Sequence, residues 1–158
     1  MDLQDKVVVV TGGGQGLGRQ MALRLAAKGA KLALVDLNQE KLDETVDLVK
    51  EAGSEAKTYI ANVAQEAEVE ATFSKIATDF GRLDVLVNNA GITRDGLFIK
   101  AKEGQIQQKM SLEQWQQVID VNLTGVFLCA REAACQMIER NIQGVIINIS
   151  SISRSGNL

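Results

Sequence analysis

The 158-residue sequence contains no histidine and no proline. Without histidine there can be no Ser-His-Asp triad, no Cys-His pair and no His-ligated metal, and no metal site is expected. Without proline nothing punctuates a linker, and one domain over residues 1–158 is expected. Aromatic residues make up 4% and cysteines number two, Cys129 and Cys135. Six apart on a predicted helix, the cysteines fall on different faces and read as reduced thiols. No apolar run approaches the ~20 residues that span a bilayer. The opening "MDLQDK" lacks the basic-then-apolar layout of a secretory leader, so the expected setting is the cytoplasm. A net charge of −3 gives no reason to expect nucleic acid or a membrane as a partner.

Glycine, by contrast, is concentrated where it does most. In "VVVVTGGGQGLGRQMALRLA" (Val7 to Ala26) four valines read as a strand buried on both faces, running into a turn without side chains. Leu17, Met21 and Leu25, with Ala22 and Ala26 beside them, then predict one apolar helix face ending near Lys28-Gly29. A strand, a glycine turn and a helix N-terminus together suit a pyrophosphate, which any Cβ in the turn would hold away. Glycines alone would also serve a tight strand-to-helix connection. The spacing is T-G-x-x-x-G-x-G, with Gly12, Gly16 and Gly18, rather than G-x-G-x-x-G.

The second strand, "KLALVD" (Lys31 to Asp36), ends in an acid about twenty residues after the glycines, where a carboxylate can accept ribose hydroxyls. Asp36 would repel a 2′-phosphate, and no Arg or Lys stands inside the glycine turn or directly after it. NAD(H) is therefore expected over NADP(H). The alternative is that Asp36 only begins a turn or caps a helix, but Asn38 is the better cap.

Strands and helices go on alternating. A helix after Asn38 carries Leu42, Val46 and Val49, and "AKTYIA" follows as a strand. The next helix points Val69, Phe73, Ile76 and Phe80 inward, stops at Gly81 and gives way to "LDVLV". Ser111-x-x-Gln114 is a capping box for a long helix carrying Trp115, Val118 and Ile119. The last strand is "GVIINIS". This predicts an α/β fold, a Rossmann-type doubly wound parallel sheet of five strands in the order 3-2-1-4-5 with helices on both faces. Ligands then belong at the carboxyl ends of the strands. There stand the Gly12 turn, Asp36, Asn62-Val63, "NNAG" and Ser150-Ser151, all small, polar or glycine except Val63.

"TGGGQGLG", Asp36, "NNAG", "DVNLTGVF" and "GVIINISS" come in the order and spacing of the classical short-chain dehydrogenase/reductase family, which the whole chain resembles. "NNAGITRDG" is most similar to its 3-oxoacyl-[acyl-carrier-protein] reductase branch. The resemblance implies hydride transfer between NAD(H) and a carbonyl or secondary alcohol, with an acyl thioester as the nearest substrate and a steroid or sugar alcohol as alternatives. It implies that Gly12, Gln15, Gly16, Leu17 and Gly18 hold the diphosphate, and that Asp36 with Leu37 next to it takes the adenosine ribose. Asn62 and Val63 would meet the adenine, where relatives carry Asp-Val. Asn89, Ala90 and Gly91 would flank the second ribose. Asn122 matches the asparagine that holds a relay water, and Ser151, with Ser150 as fallback among four nearby serines, matches the one that bonds the substrate oxygen. The family's Tyr-x-x-x-Lys would follow about a dozen residues after Ser151. The 158-residue chain alone is therefore expected to be inactive, and the full-length form to be a homo-oligomer, tetramer or dimer. A non-catalytic NAD-binding module is the reading from another class.

Between Arg94 and Trp115 the segment is about nine residues longer than in close relatives. Its Lys, Gln and Glu content suggests a solvated loop or helical extension, or a lid on which Lys100, Lys102 and Lys109 attract a carrier or coenzyme A phosphate.

Overall fold

The computed structural model describes residues 2–94 and 96–151; Asp95 and the two later of the four serines lie outside them. Five strands, β1 (Val7–Thr11), β2 (Lys31–Asp36), β3 (Ala56–Ile60), β4 (Val85–Asn88) and β7 (Val145–Asn148), form a parallel sheet in the order β3-β2-β1-β4-β7. The expected order holds, the fifth parallel strand being the seventh in the chain because an unforeseen hairpin precedes it.

Period-2 alternation explains the run of valines. Val8 and Val10 of β1 pack with Leu32 and Leu34 of β2 against α1 (Gly16–Ala26) and α2 (Gln39–Glu51). Val9 points the other way, with Val35, into a second core formed by α3 (Glu66–Phe80) and α5 (Gly125–Glu139). All four valines are fully buried, each worth ~1.5–2 kcal/mol of transfer free energy. Cys129 belongs to the second core and Cys135 is exposed; burial pushes the Cys129 thiol up to about 12.

The expected face of α1 needs correction. The buried residues are Gly18, Ala22 and Ala26, whereas Leu17 is exposed and Met21 and Leu25 are only partly covered. The helix lies so close to the sheet that a Cβ on Gly18 would overlap the Gly12 carbonyl oxygen. Small residues face the sheet for that reason, and the larger ones flank it. Phe80 is likewise only half-buried, packing on the rim of the second core.

Within the segment between Arg94 and Trp115, residues 99–109 form neither a loop nor a helical extension. β5 (Ile99–Lys102) and β6 (Gln105–Lys109) pair as an antiparallel hairpin whose strands are exposed at every residue. Its turn, Glu103-Gly104, has positive φ at both positions, 51° and 77°, as a two-residue type I′ turn requires. Lys100 and Lys102 share one face, and Lys109, paired with Ile99, lies on the other, so the three lysines do not form one patch. α4 (Leu112–Ile119) opens on the expected Ser111/Gln114 capping box. It runs through a π-helical turn, Asp120–Thr124, into α5. No helix among the described residues is long and apolar enough to cross a membrane.

Candidate functional site

The carboxyl ends of β1, β2, β3 and β4 border a cleft of about 350 Å3. It is lined by Gly12, Gln15, Leu17, Gly18, Asp36, Leu37, Asn62, Val63, Asn89, Ala90 and Gly91, every expected cofactor residue except Gly16. Gly16 has φ +56° and shapes the turn without facing the cleft. Val35, Ala61, Ile92 and Val121 also line it. Ile92 and Val121 fall inside the "NNAGITRDG" and "DVNLTGVF" stretches without having been singled out, and Val35 and Ala61 sit at the ends of β2 and β3, so an apolar side chain at a strand end was the signal that could have marked them.

The glycine turn is tied to its surroundings by named bonds. Gly12, at φ +66°, has room for a Cβ only 3.0 Å from Ala90 Cα and Asn89 Nδ2. Asn89 donates from Nδ2 to the carbonyls of Thr11 (3.0 Å) and Gly12 (3.3 Å). The Thr11 hydroxyl accepts from the amides of Asn89 and Ala90, both at 3.0 Å. β1 and β4 thus end as one piece.

Helix α1 begins differently from its neighbours. Its first turn has no acidic residue and its N-cap, Gln15, makes no side-chain cap bond. By contrast α2 is capped by Asn38 and carries Glu40, α3 carries Glu66 and Glu68, and α4 is capped by Ser111 and carries Glu113. The partial positive charge of the α1 N-terminus, with its free N–H groups, is therefore left for an anion from outside. The residues present fit a dinucleotide diphosphate: Gly12 and Gly18, where a Cβ would press on Ala90 and Asn89 or overlap the Gly12 carbonyl oxygen, let the turn close up tightly beneath the helix N-terminus.

Across the cleft, Asp36 is held by backbone. Oδ2 accepts from the Gly14 amide at 3.0 Å, and Oδ1 from Leu37 and Asn38 at 2.7 and 3.2 Å. Asn62 accepts through Oδ1 from the Ala64 amide at 3.0 Å. An aspartate would make the same turn, so the amide preserves the local shape without the charge.

Asn122 sits in the π-helical turn and clamps Ile92 at two points, Oδ1 accepting from its amide and Nδ2 donating to its carbonyl, both at 2.9 Å. Gly91 adjoins the same amide. Asn122 therefore touches the cleft through Ile92. Ser150 and Ser151 follow β7 on the same rim, beyond the bond from Ile149 N to Asn88 O (2.9 Å), but do not line the cleft. Tyr59, next to last in β3, does not line the cleft. It is buried and donates to Asp79 Oδ2 at 2.9 Å, and burial together with that carboxylate pushes its hydroxyl far above the usual range. Sequence motifs did not mark this pair. Among the described residues no three His, Cys, Asp or Glu side chains are placed to hold a metal ion.

A family profile described as "short chain dehydrogenase" matches residues 6–156. A 3-oxoacyl-[acyl-carrier-protein] reductase of Staphylococcus aureus is 43% identical over 148 residues, 93% of this chain and 56% of that protein. A 3β-hydroxysteroid dehydrogenase of Eggerthella lenta is 41% identical over 152 residues, 96% of this chain and 55% of that protein. The crystal structure of an NAD+-bound xylitol dehydrogenase superposes with a TM-score of 0.87 at 34% identity, covering 100% of this chain and 57% of the other. The chain thus spans little more than half the length of the curated relatives it matches.

Proposed function

The chain belongs to the short-chain dehydrogenase family, and from that premise we propose that residues 1–158 form a single dinucleotide-binding domain of an oxidoreductase. Its reaction moves a hydride between NAD(H) and a carbonyl or secondary alcohol. The observation that carries this reading is the uncapped, acid-free N-terminus of α1 behind the glycine turn, facing Asp36 across the cleft.

When bound, the dinucleotide supplies or accepts the hydride. The chain's own residues bind and orient: Gly12, Gln15, Leu17 and Gly18 the diphosphate, Asp36 and Leu37 the adenosine ribose, Asn62 and Val63 the adenine, and Asn89, Ala90 and Gly91 the second ribose. Gly16 holds the turn. Asn122 orders the Ile92 backbone and is assigned a water of the proton path, and Ser151 is assigned the substrate oxygen. Tyr59, committed to Asp79, does not donate the proton that balances hydride addition.

The substrate reading is a 3-oxoacyl thioester, on the relative that is 43% identical. A steroid or sugar secondary alcohol is the second reading, on the hydroxysteroid and xylitol dehydrogenases. A non-catalytic nucleotide-binding module is the third. The protein is homo-oligomeric, which gel filtration of the whole protein tests, and cytoplasmic, which cell fractionation tests.

Preference for NAD(H) follows from the Asp36 carboxylate, which would face a 2′-phosphate. Fluorescence titration should give an NADH dissociation constant at least roughly tenfold below that of NADPH, and Asp36→Ala should narrow that gap. Equal affinities in the unaltered protein would sink the preference, and no binding of either nucleotide would sink the function. Steady-state assays on acetoacetyl thioesters, hydroxysteroids and polyols then separate the substrate readings.

A further inference from the structure

Two cations lie close to Asp36 without bonding it. Arg19, in the first turn of α1, donates to the Gly14 carbonyl from Nε (3.1 Å) and Nη2 (2.6 Å), to Thr45 Oγ1 at 2.9 Å and to the Lys41 carbonyl at 3.3 Å. The same Nη2 meets Glu44 Oε2 at 2.7 Å. The Lys41 ammonium meets the other oxygen of that carboxylate, Glu44 Oε1, at 2.6 Å. Lys41 does not itself line the cleft, but its stem backs the glycine turn that does. A Cβ placed on Gly14 would lie 3.0 Å from Lys41 Cβ and 3.1 Å from Asp36 Oδ2.

The Lys41 stem and the Asp36 carboxylate therefore flank the same glycine. A lysine stem is flexible and long enough to carry its ammonium to either side of such a point. Glu44 holds it on the α2 side, one carboxylate serving both cations. The hydrogen bonds from Lys41 and Arg19 in turn hold the Glu44 carboxyl below its ordinary range, so it stays charged wherever the dinucleotide is used.

We propose that Glu44 is a specificity-determining positioning residue: by pinning Lys41 and Arg19 beneath the glycine turn it keeps positive charge away from the ribose side of Asp36, and so disfavours a 2′-phosphate. The inference rests on the dinucleotide reading above. Asp36 supplies repulsion, and Glu44 removes the cations that would offset it. A Glu44 that only braced α1 against α2 would affect both nucleotides alike.

The test is the ratio of NADH to NADPH dissociation constants in the whole protein, read by nucleotide fluorescence. Glu44→Gln keeps the shape and removes the charge. It should tighten NADPH relative to NADH by roughly five- to tenfold at low salt, and the gain should fade as salt rises. Adding Lys41→Met to that variant should cancel most of it. Should Glu44→Gln fail to fold, Glu44→Asp, which retracts the charge by one methylene, should shift the ratio the same way by less. An unmoved ratio with NADH still bound, or an equal weakening of both nucleotides, overturns the role of Glu44 and leaves the dinucleotide reading standing. An unaltered protein that binds neither nucleotide overturns both.

Discussion

At Gly18 a single hydrogen atom decides how near α1 comes to the end of β1. Gly18→Ala drives a methyl into the Gly12 carbonyl, and backbone cannot rotate away as a side-chain tip can. The expected cost is about 2–3 kcal/mol in urea denaturation, with a matching loss of NADH affinity as the turn widens. Asn122 offers a subtler case, because its amide donates and accepts at once toward Ile92. Asn122→Asp keeps the acceptor but sets an anionic oxygen against the Ile92 carbonyl. A loss of about 1 kcal/mol is expected at neutral pH, shrinking on acidification as the carboxyl gains a proton and can donate again. A stability indifferent to pH in that variant would mean that the clamp carries little energy.

Elements show where sequence reasoning reached and where it stopped. The parallel strands were legible because burial on both faces leaves continuous apolar runs, and Asn38 and Ser111 because their caps are local chemistry. The face of α1 was not, since side-chain size was taken as a sign of burial where close approach demanded small residues. The hairpin was missed because its strands mix Lys and Gln with Ile, and its turn carries Glu-Gly where Asn-Gly or Asp-Gly would have been recognised. The cleft was legible through its glycines, asparagines and Asp36. The joining of Arg19 to the Lys41–Glu44 pair was not, because it depends on how α1 and α2 pack, although Lys41 and Glu44 themselves meet within α2. Phe98 and Leu97, 80% and 68% exposed at the hairpin's base, make no contribution to either core. Replacing residues 98–110 by a short Gly-Ser turn should therefore move Tm by less than about 2 °C and leave NADH affinity unchanged. A larger fall in Tm would show that the hairpin leans on the body of the protein.

For the molecule as a whole, the sheet has a binding rim and an anchoring rim. At the anchoring end Asp84, almost fully buried, accepts from the Val7 amide at 2.9 Å and from Arg82 at 2.7 and 2.6 Å, with Lys6 at 3.6 Å. Its backbone joins β1 and β7 as well, through Val7 O and Val145 N. Burial works against its charge, but the Arg82, Val7 and Lys6 interactions outweigh it and hold the carboxyl below the usual range. A carboxyl depressed in the folded state adds stability that is complete above its unfolded value, about pH 4, and lost as pH falls through the folded value. Asp84→Asn should cost about 1–3 kcal/mol at neutral pH, and its acid limb should be flatter than that of the unaltered protein. Parallel acid limbs would show that other carboxylates set the acid sensitivity.

The Thr11 hydroxyl, bonded to Asn89 and Ala90 across 78 and 79 positions of sequence, also sets a timetable. A ribosome has to synthesise and release residues up to about Ala90 before the two ends of the cleft can meet, and closing so long a loop is slow compared with forming any one helix. A nascent chain arrested before Asn89 would hold the glycine turn and Asp36 but no closed pocket. Nucleotide binding during translation should therefore switch on late and abruptly, and nucleotide, once bound, would act as a latch on the finished fold rather than a seed for it.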